Sequence, residues 1–299
     1  MFINNSSIIE ICIQWPELPK KDGDILYVHP NNLGDLAINI DDIHVRFVLV
    51  SCGSDYPIPF GLFEESKKIL YSDKVICWFS QNAMRTFSKL RHLPIGIDYH
   101  TIKTKTKEEQ EQVLIDAKNS ITIKKNKIYG NFHFQMDIMF KHDREEAIIQ
   151  IPSDLIEYEE SRIPKAECYK KMASYKFIAS PFGNGMECHR TWEALALGCI
   201  PIVKTSCMDS IYEGLPVLIV NSWSDVSQEL LDSYVYTPHL EKLYVDYWIN
   251  EIRQVASSTL HVLKDDIDKG LHTSYTFNND DVCSEFSDEE FNLLASEQS

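Results

Sequence analysis

The sequence predicts an α/β protein built on parallel sheets. Two observations carry this reading. Apolar runs bounded by turn residues recur with helix-like stretches between them, and residues 175–220 read as a continuous β-α-β-α-β series. The chain of 299 residues, 44% hydrophobic and 25% charged, is long enough for one large domain or two of moderate size.

Ile25 to His29, Phe47 to Ser51 and Lys74 to Phe79 read as strands, and Phe63 to Tyr71 as a helix. Leu93-Pro94-Ile95-Gly96-Ile97 closes this first third. From Thr101 to Ser120 the composition turns to Lys, Glu, Gln and Thr, which marks a linker or surface helix and a domain boundary near residue 105. Lys127 to Phe134 reads as a strand, Pro164 to Ser174 as a helix opened by proline, and Tyr175 to Ser180 as the next strand. Glu187 to Leu197 is a helix stopped by Gly198, and Cys199 to Lys204 a strand. Met208 to Glu213 is a short helix stopped by Gly214, and Pro216 to Val220 a strand. Ser222-Trp223-Ser224-Asp225 reads as a capping box, and Glu241 to Lys264 has the apolar spacing of a long C-terminal helix. The expected units are residues 1–105, residues 106–275 and an acidic, mobile tail at 276–299.

With 45 acidic against 29 basic residues, the formal charge of -16 repels a phosphate backbone, which excludes nucleic acid and anionic membranes as bulk partners. Apolar runs such as Phe47-Val48-Leu49-Val50 fall far short of the roughly 20 residues of a bilayer-spanning helix. The N-terminus lacks the basic start of a secretory signal, so a cytoplasmic chain is expected. Eight cysteines without a C-x-x-C pair imply reduced thiols rather than disulfides or a metal cluster.

The most informative stretch runs from Tyr175 to Lys204: strand, glycine-rich loop, helix, strand. Gly183 and Gly185, flanking Asn184, let the loop turn sharply and present backbone N–H groups at a helix N-terminus, where the macrodipole favours an anion. Arg190 lies in the first turn of that helix, and a guanidinium grips a diphosphate with charge-assisted bonds of about 1.5–3 kcal/mol each. Glu193 shares its face and, among Trp192, Ala194, Leu195 and Leu197, needs a partner; paired ribose hydroxyls would serve. The bland alternative is an Arg190–Glu193 ion pair on an exposed face, contributing about 0.2–0.5 kcal/mol, which explains neither the glycines nor the apolar surroundings. His189 is either a further donor contact or a structural histidine. Gly183-x-Gly185-x-x-Cys188 also approaches the dinucleotide fingerprint, so an NAD(P)-dependent oxidoreductase is the rival reading. That reading expects an acidic residue at the end of the next strand, which instead ends in Lys204-Thr205.

Ser180-Pro-Phe-Gly-Asn-Gly185 followed by His189-Arg190-Thr-Trp-Glu193-Ala-Leu-Ala-Leu-Gly-Cys-Ile-Pro-Ile-Val203 resembles the donor-binding segment of exostosin-like glycosyltransferases. The likeness is strongest over residues 165 to 225, with a weaker echo in Trp78-Phe79-Ser80-Gln81-Asn82 and in Leu93 to Tyr99. The resemblance implies two Rossmann-like domains facing a cleft, the GT-B arrangement, and transfer of a sugar from a UDP- or GDP-linked donor to a glycan acceptor. It places Arg190 on the donor diphosphate and Glu193 on the ribose, and implies that no metal or other cofactor is required. A membrane anchor and a secretory signal, present in the animal members, are not seen here, so Golgi residence and heparan-type acceptors do not carry over.

Such a transfer passes through an oxocarbenium-like state, so an inverting enzyme needs a base for the acceptor hydroxyl, while the leaving diphosphate needs positive charge. Arg190, the helix N-terminus and Lys204 would supply the charge, with Arg144 reaching in from a neighbouring loop or pairing with Glu145 or Glu146. Asp55, after the strand Phe47 to Ser51, is the leading candidate base; the alternative is a turn aspartate before Pro57. His29 and Asp35 line another loop on the acceptor side. Asp22-Gly23-Asp24 matches the metal-binding D-x-D pattern but precedes a strand, as a polar turn would. A reading from another class is a non-catalytic nucleotide-sugar-binding protein.

Overall fold

The computed structural model describes residues 1–84, 89–134, 140–236 and 239–269. The tail expected at 276–299 lies outside the described residues. The first half of the chain forms α1 (Asn5–Ile9), β1 (Ile13–Gln14), β2 (Asp24–Tyr27), α2 (Leu33–Asn39), β3 (Phe47–Ser51), α3 (Phe63–Tyr71), β4 (Val75–Ser80) and β5 (Leu90–His92). Its five strands pair in parallel in chain order, β1-β2-β3-β4-β5. The second half forms α4 (Lys107–Asn119), β6 (Lys125–Gly130), α5 (Lys141–Gln150), β7 (Ile156–Tyr158), α6 (Lys165–Ala173), β8 (Tyr175–Ala179), α7 (His189–Ala196), β9 (Ile200–Lys204), β10 (Leu218–Val220), α8 (Gln228–Ser233) and α9 (Val245–Lys269). Its strands are also parallel, in the order β10-β9-β8-β6-β7. The α/β class with two parallel sheets and a long C-terminal helix is therefore present.

The two sheets differ where it matters for a ligand. In the second, β7 lies on one side of β6 and β8 on the other, so the strand order reverses there. A crevice opens at such a switch point beyond the carboxyl ends of the strands. The first sheet has no reversal.

Strand β3 is buried at every residue and divides its side chains by the period of two. Phe47 and Leu49 pack with Leu33, Leu36 and Ile69 of α2 and α3. Val48 and Val50 join the cluster that holds Val245, Trp248 and Ile252 of α9. Those α9 residues recur at helical spacing, and the helix crosses back to lie against β3, β4 and α1. Among the described residues no helix is long and apolar enough to cross a membrane.

Local signals set several element ends. Gly198, at φ 69°, follows α7 and completes a Schellman motif: Gly198 N–H donates to Leu195 O at 2.9 Å and Cys199 N–H to Ala194 O at 2.9 Å. Thr106 and Glu109 form a reciprocal capping box that starts α4 within the polar stretch expected as linker or surface helix. Other bounds need correcting. The strand expected at 127–134 occupies Lys125–Gly130, because the chain leaves the sheet at Asn131, whose carbonyl accepts from a side chain instead. Met208 to Glu213 contains only a 3-10 turn, Asp209–Tyr212. The Ser222 box caps another single turn, Trp223–Asp225, while Ser227 caps α8 separately. A 3-10 turn at Glu241–Leu243 precedes α9, which begins at Val245.

Candidate functional site

The loops that follow β6 and β8 meet at the switch point, and two arginines lace them together. Arg190, on the first turn of α7, donates from Nε to Asn131 O at 3.0 Å and from Nη1 to Pro181 O at 3.2 Å. Arg144, on α5, donates from Nε to Phe182 O at 2.8 Å and from Nη1 to His133 O. None of these bonds uses Nη2 of either guanidinium, and among the described residues neither arginine pairs with a carboxylate. The face of Phe132 lies under Arg190, 5.2 Å from its guanidinium carbon. The charges reinforce one another. Burial first, then Arg190, pulls the Arg144 guanidinium below its ordinary value. Burial first, then Arg162, Arg144 and Arg190, does the same to His133. A concentration of positive charge on the starts of α5 and α7 at a switch point suits an anion. Cys188, the N-cap of α7, makes no side-chain capping bond, which leaves the first-turn N–H groups without a side-chain acceptor from that position.

The i,i+3 pair between Arg190 and Glu193 does not form. Glu193 Oε1 accepts from Tyr169 OH at 2.8 Å and pairs with Lys165 Nζ at 3.1 Å, both from α6. Lys165 also grips Asp98 Oδ2 at 3.0 Å, on the segment that links the sheets. The partner that Glu193 requires is thus supplied from within the chain. Burial would raise the Asp98 carboxyl, but Lys165 and then His189 hold it well below the usual carboxylate range. His189 Nδ1 meets Gly96 O at 2.7 Å, so this histidine fastens α7 to the linking segment.

The glycine-rich loop does not turn by left-handed glycines: neither Gly183 nor Gly185 has positive φ. Close approach explains Gly185, whose ideal Cβ would lie 2.6 Å from Asn82 Nδ2. Asn82, at φ 50° beyond β4, accepts from Glu187 N–H at 3.3 Å and donates to Ser54 O at 3.2 Å. Glu187 is fully buried, accepting from Ile95 N–H at 2.9 Å and from Trp192 Nε1. Burial pushes its carboxyl up to about 8. Asn184 is exposed at the tip.

The remaining expected residues are scattered. Lys204 ends β9 but is paired with Glu146 at 2.9 Å, so its charge is neutralised beside the loop rather than free. It lines a small crevice with Ser180, Phe182, Met186, Thr191 and Tyr212. Asp55 is exposed in the β3–α3 loop, one residue beyond Ser54 and therefore next to the Asn82 bridge. His29 is taken up by backbone: Nδ1 accepts from Asn31 N–H at 3.2 Å, so Nε2 donates to Gly53 O at 3.1 Å. Asp35 is not in a loop with it. It sits in the first turn of α2, where its carboxylate accepts from Trp15 Nε1 at 3.0 Å and Asn39 Nδ2 at 3.1 Å. The Asp22-Gly23-Asp24 turn is a polar turn, with Asp24 Oδ2 accepting from Lys20 and Lys21 N–H and Asp22 Oδ1 from Arg46 N–H. Sequence reasoning missed Asn82, Asp98, Lys165, Tyr169, Glu187 and His133. Asn82 and Asp98 stand in the segments of the weaker echo and Lys165 and Tyr169 in the stretch of strongest likeness, but no local pattern marks what any of them contacts.

The chain matches no protein-family model, and no curated protein matches it. It is similar to solved structures at low identity. One is the N-terminal domain of Candida albicans trehalose-6-phosphate phosphatase, at 13% identity and TM-score 0.39 over 84% of this chain and 71% of that one. A second is the α,α-trehalose 6-phosphate synthase of Burkholderia multivorans, at 12% identity and TM-score 0.37 over 83% and 72%. A third is WaaG, a glycosyltransferase involved in lipopolysaccharide biosynthesis, at 13% identity and TM-score 0.33 over 78% and 80%.

Proposed function

We propose that this chain is a GT-B glycosyltransferase that takes a sugar from a UDP- or GDP-linked donor and passes it to a glycan acceptor. The observation that carries the reading is the pair Arg144 and Arg190. Two guanidinium groups that have no carboxylate partner among the described residues stand at the switch point of the second sheet, where a diphosphate would supply the negative charge. In this reading the donor side is the second sheet and its helices and the acceptor side the first sheet, residues 1–105, with α9 packed against it. The diphosphate lies along Arg190, Arg144 and the start of α7, with His189 and the loop Gly183-Asn184-Gly185 beside it. Glu193 faces the ribose from the Lys165–Tyr169 pair that orients it. Asp55 is the proposed base, since its loop reaches the glycine-rich loop through Ser54 and Asn82. Developing charge on the leaving diphosphate is offset by the two arginines, and no step in this scheme calls on a bound cofactor.

A thermal-shift screen with UDP, GDP, their sugar conjugates, NAD and NADP tests the proposal. A ligand at 100 times its Kd adds about 2.7 kcal/mol of stability. A rise with UDP or GDP that falls at least tenfold in apparent affinity in Arg190→Ala supports the reading. A rise only with NAD or NADP replaces it with the oxidoreductase, and equal affinity in a folded Arg190→Ala removes Arg190 from the site. Binding without turnover, unaffected by Asp55→Ala, would leave a nucleotide-sugar-binding protein.

A further inference from the structure

Asp98 and His100 lie on the segment that links the two sheets, and the start of α7 brings His189 against them. One ligand atom from each lies within 4.8 Å of the other two. Asp98 Oδ1 and His100 Nδ1 are 3.1 Å apart, an ion pair in which Nδ1–H donates; an ion that displaced this proton would find the two atoms near the spacing of tetrahedral ligands with bonds of about 2.0–2.1 Å. The outer partners that orient metal ligands are also present. His189 Nδ1–H donates to Gly96 O at 2.7 Å, which leaves the Nε2 lone pair for an ion. Asp98 Oδ2 is held by Lys165 at 3.0 Å, and Oδ1 accepts from the backbone N–H of His100 and Thr101 at 3.1 and 3.0 Å. Lys165 competes for Asp98, but it engages the carboxylate oxygen opposite His100. The immediate charges, Asp98 and Glu193 against Lys165, sum to one negative, which favours a cation. Access is open, because the His100 side chain is 69% exposed.

We propose that Asp98, His100 and His189 bind one divalent transition-metal ion, with Zn²⁺ the best match to two imidazoles and a carboxylate. The ion ties the linking segment to α7, and a fourth position stays open. This inference does not rest on the glycosyltransferase reading, since it concerns metal affinity alone.

Co²⁺ titrated into the metal-stripped full chain, followed by visible d–d absorption, tests it. The expected result is one equivalent bound and displaced by Zn²⁺, with a rise in Tm. His100→Ala should weaken binding at least tenfold while the metal-free Tm stays as in the parent, because the side chain is exposed. Asp98→Asn should weaken it as well. Absence of binding at micromolar Co²⁺ and Zn²⁺ overturns the site. So does unchanged affinity in His100→Ala, or a thiolate charge-transfer band that would assign the ion to cysteines. A chain that binds Co²⁺ through His100 but no nucleotide keeps this site and loses the proposed function.

Discussion

Gly185 of the second sheet's loop lies directly against Asn82 of the first sheet: an ideal Cβ on Gly185 would sit 2.6 Å from Asn82 Nδ2 and 2.9 Å from its Cγ and Oδ1. Real Cβ atoms do not tolerate such distances. Asn82 cannot easily yield, because its amide joins Glu187 N–H to Ser54 O and its backbone is held at φ 50°. The two sheets are thus set against each other at a point where only hydrogen fits.

Gly185→Ala is therefore expected to destabilise the fold by about 1–3 kcal/mol, as overpacking does. Chemical denaturation measures the loss. Adding Asn82→Ala should recover part of it, since the clash is removed, and strictly additive losses in the double variant would show that the contact is not the cause.

Glu187 makes stability depend on pH in an unusual direction. Its native carboxyl is raised by burial from 4.5 to about 8, so the folded state holds the proton more tightly than the unfolded chain. The resulting stabilisation is complete below about 4.5 and disappears as pH rises through about 8. Glu187→Gln should flatten this part of the stability–pH curve. At pH 6 it should also cost about 1–3 kcal/mol, because one of the two donors, Ile95 N–H or Trp192 Nε1, loses its acceptor. Parallel curves for the two proteins between pH 5 and about 9 would refute the assignment.

Lys165 holds two carboxylates at once, so Lys165→Met should leave Asp98 and Glu193 facing each other unpaired. The expected loss at pH 7 is about 1–3 kcal/mol. Asp98 has a depressed native pKa, so its contribution is full above the ordinary carboxylate range and declines as pH falls below that range toward the lower native value. The gap between parent and variant should accordingly narrow on acidification, and urea midpoints at pH 7 and about 3 check this. A gap that widens would contradict the role given to Lys165.

Much of the second sheet was legible because its signals are local. The run from Tyr175 to Val220 alternates apolar strands with one helix that ends at Gly198 and one 3-10 turn before Gly214, and each glycine acts within a turn of its own position. Arg190 was singled out the same way, from its place in the first turn after a glycine-rich loop. Arg144 was named, but its partners were not. It binds the carbonyls of Phe182 and His133 rather than Glu145 or Glu146, and nothing in the neighbouring residues foretells that. Strand β1 was missed because two residues, Ile13 and Gln14, are too few to display a period.

The sequence by itself determined the longer elements: which segments are apolar on one face or two, where α7 stops, and that Arg190 and Glu193 would share α7. Those properties depend on residues within a few positions of one another. Tertiary structure alone decided the reversal of strand order at β6, the return of α9 to the first sheet, and the pairing of Glu193 with Lys165 instead of Arg190. It also decided that Gly185 serves close approach to Asn82 rather than a left-handed turn. These are contacts between residues far apart in the chain. They depend on which strands become neighbours when loops close, and a local pattern of apolar and polar residues is compatible with more than one such arrangement.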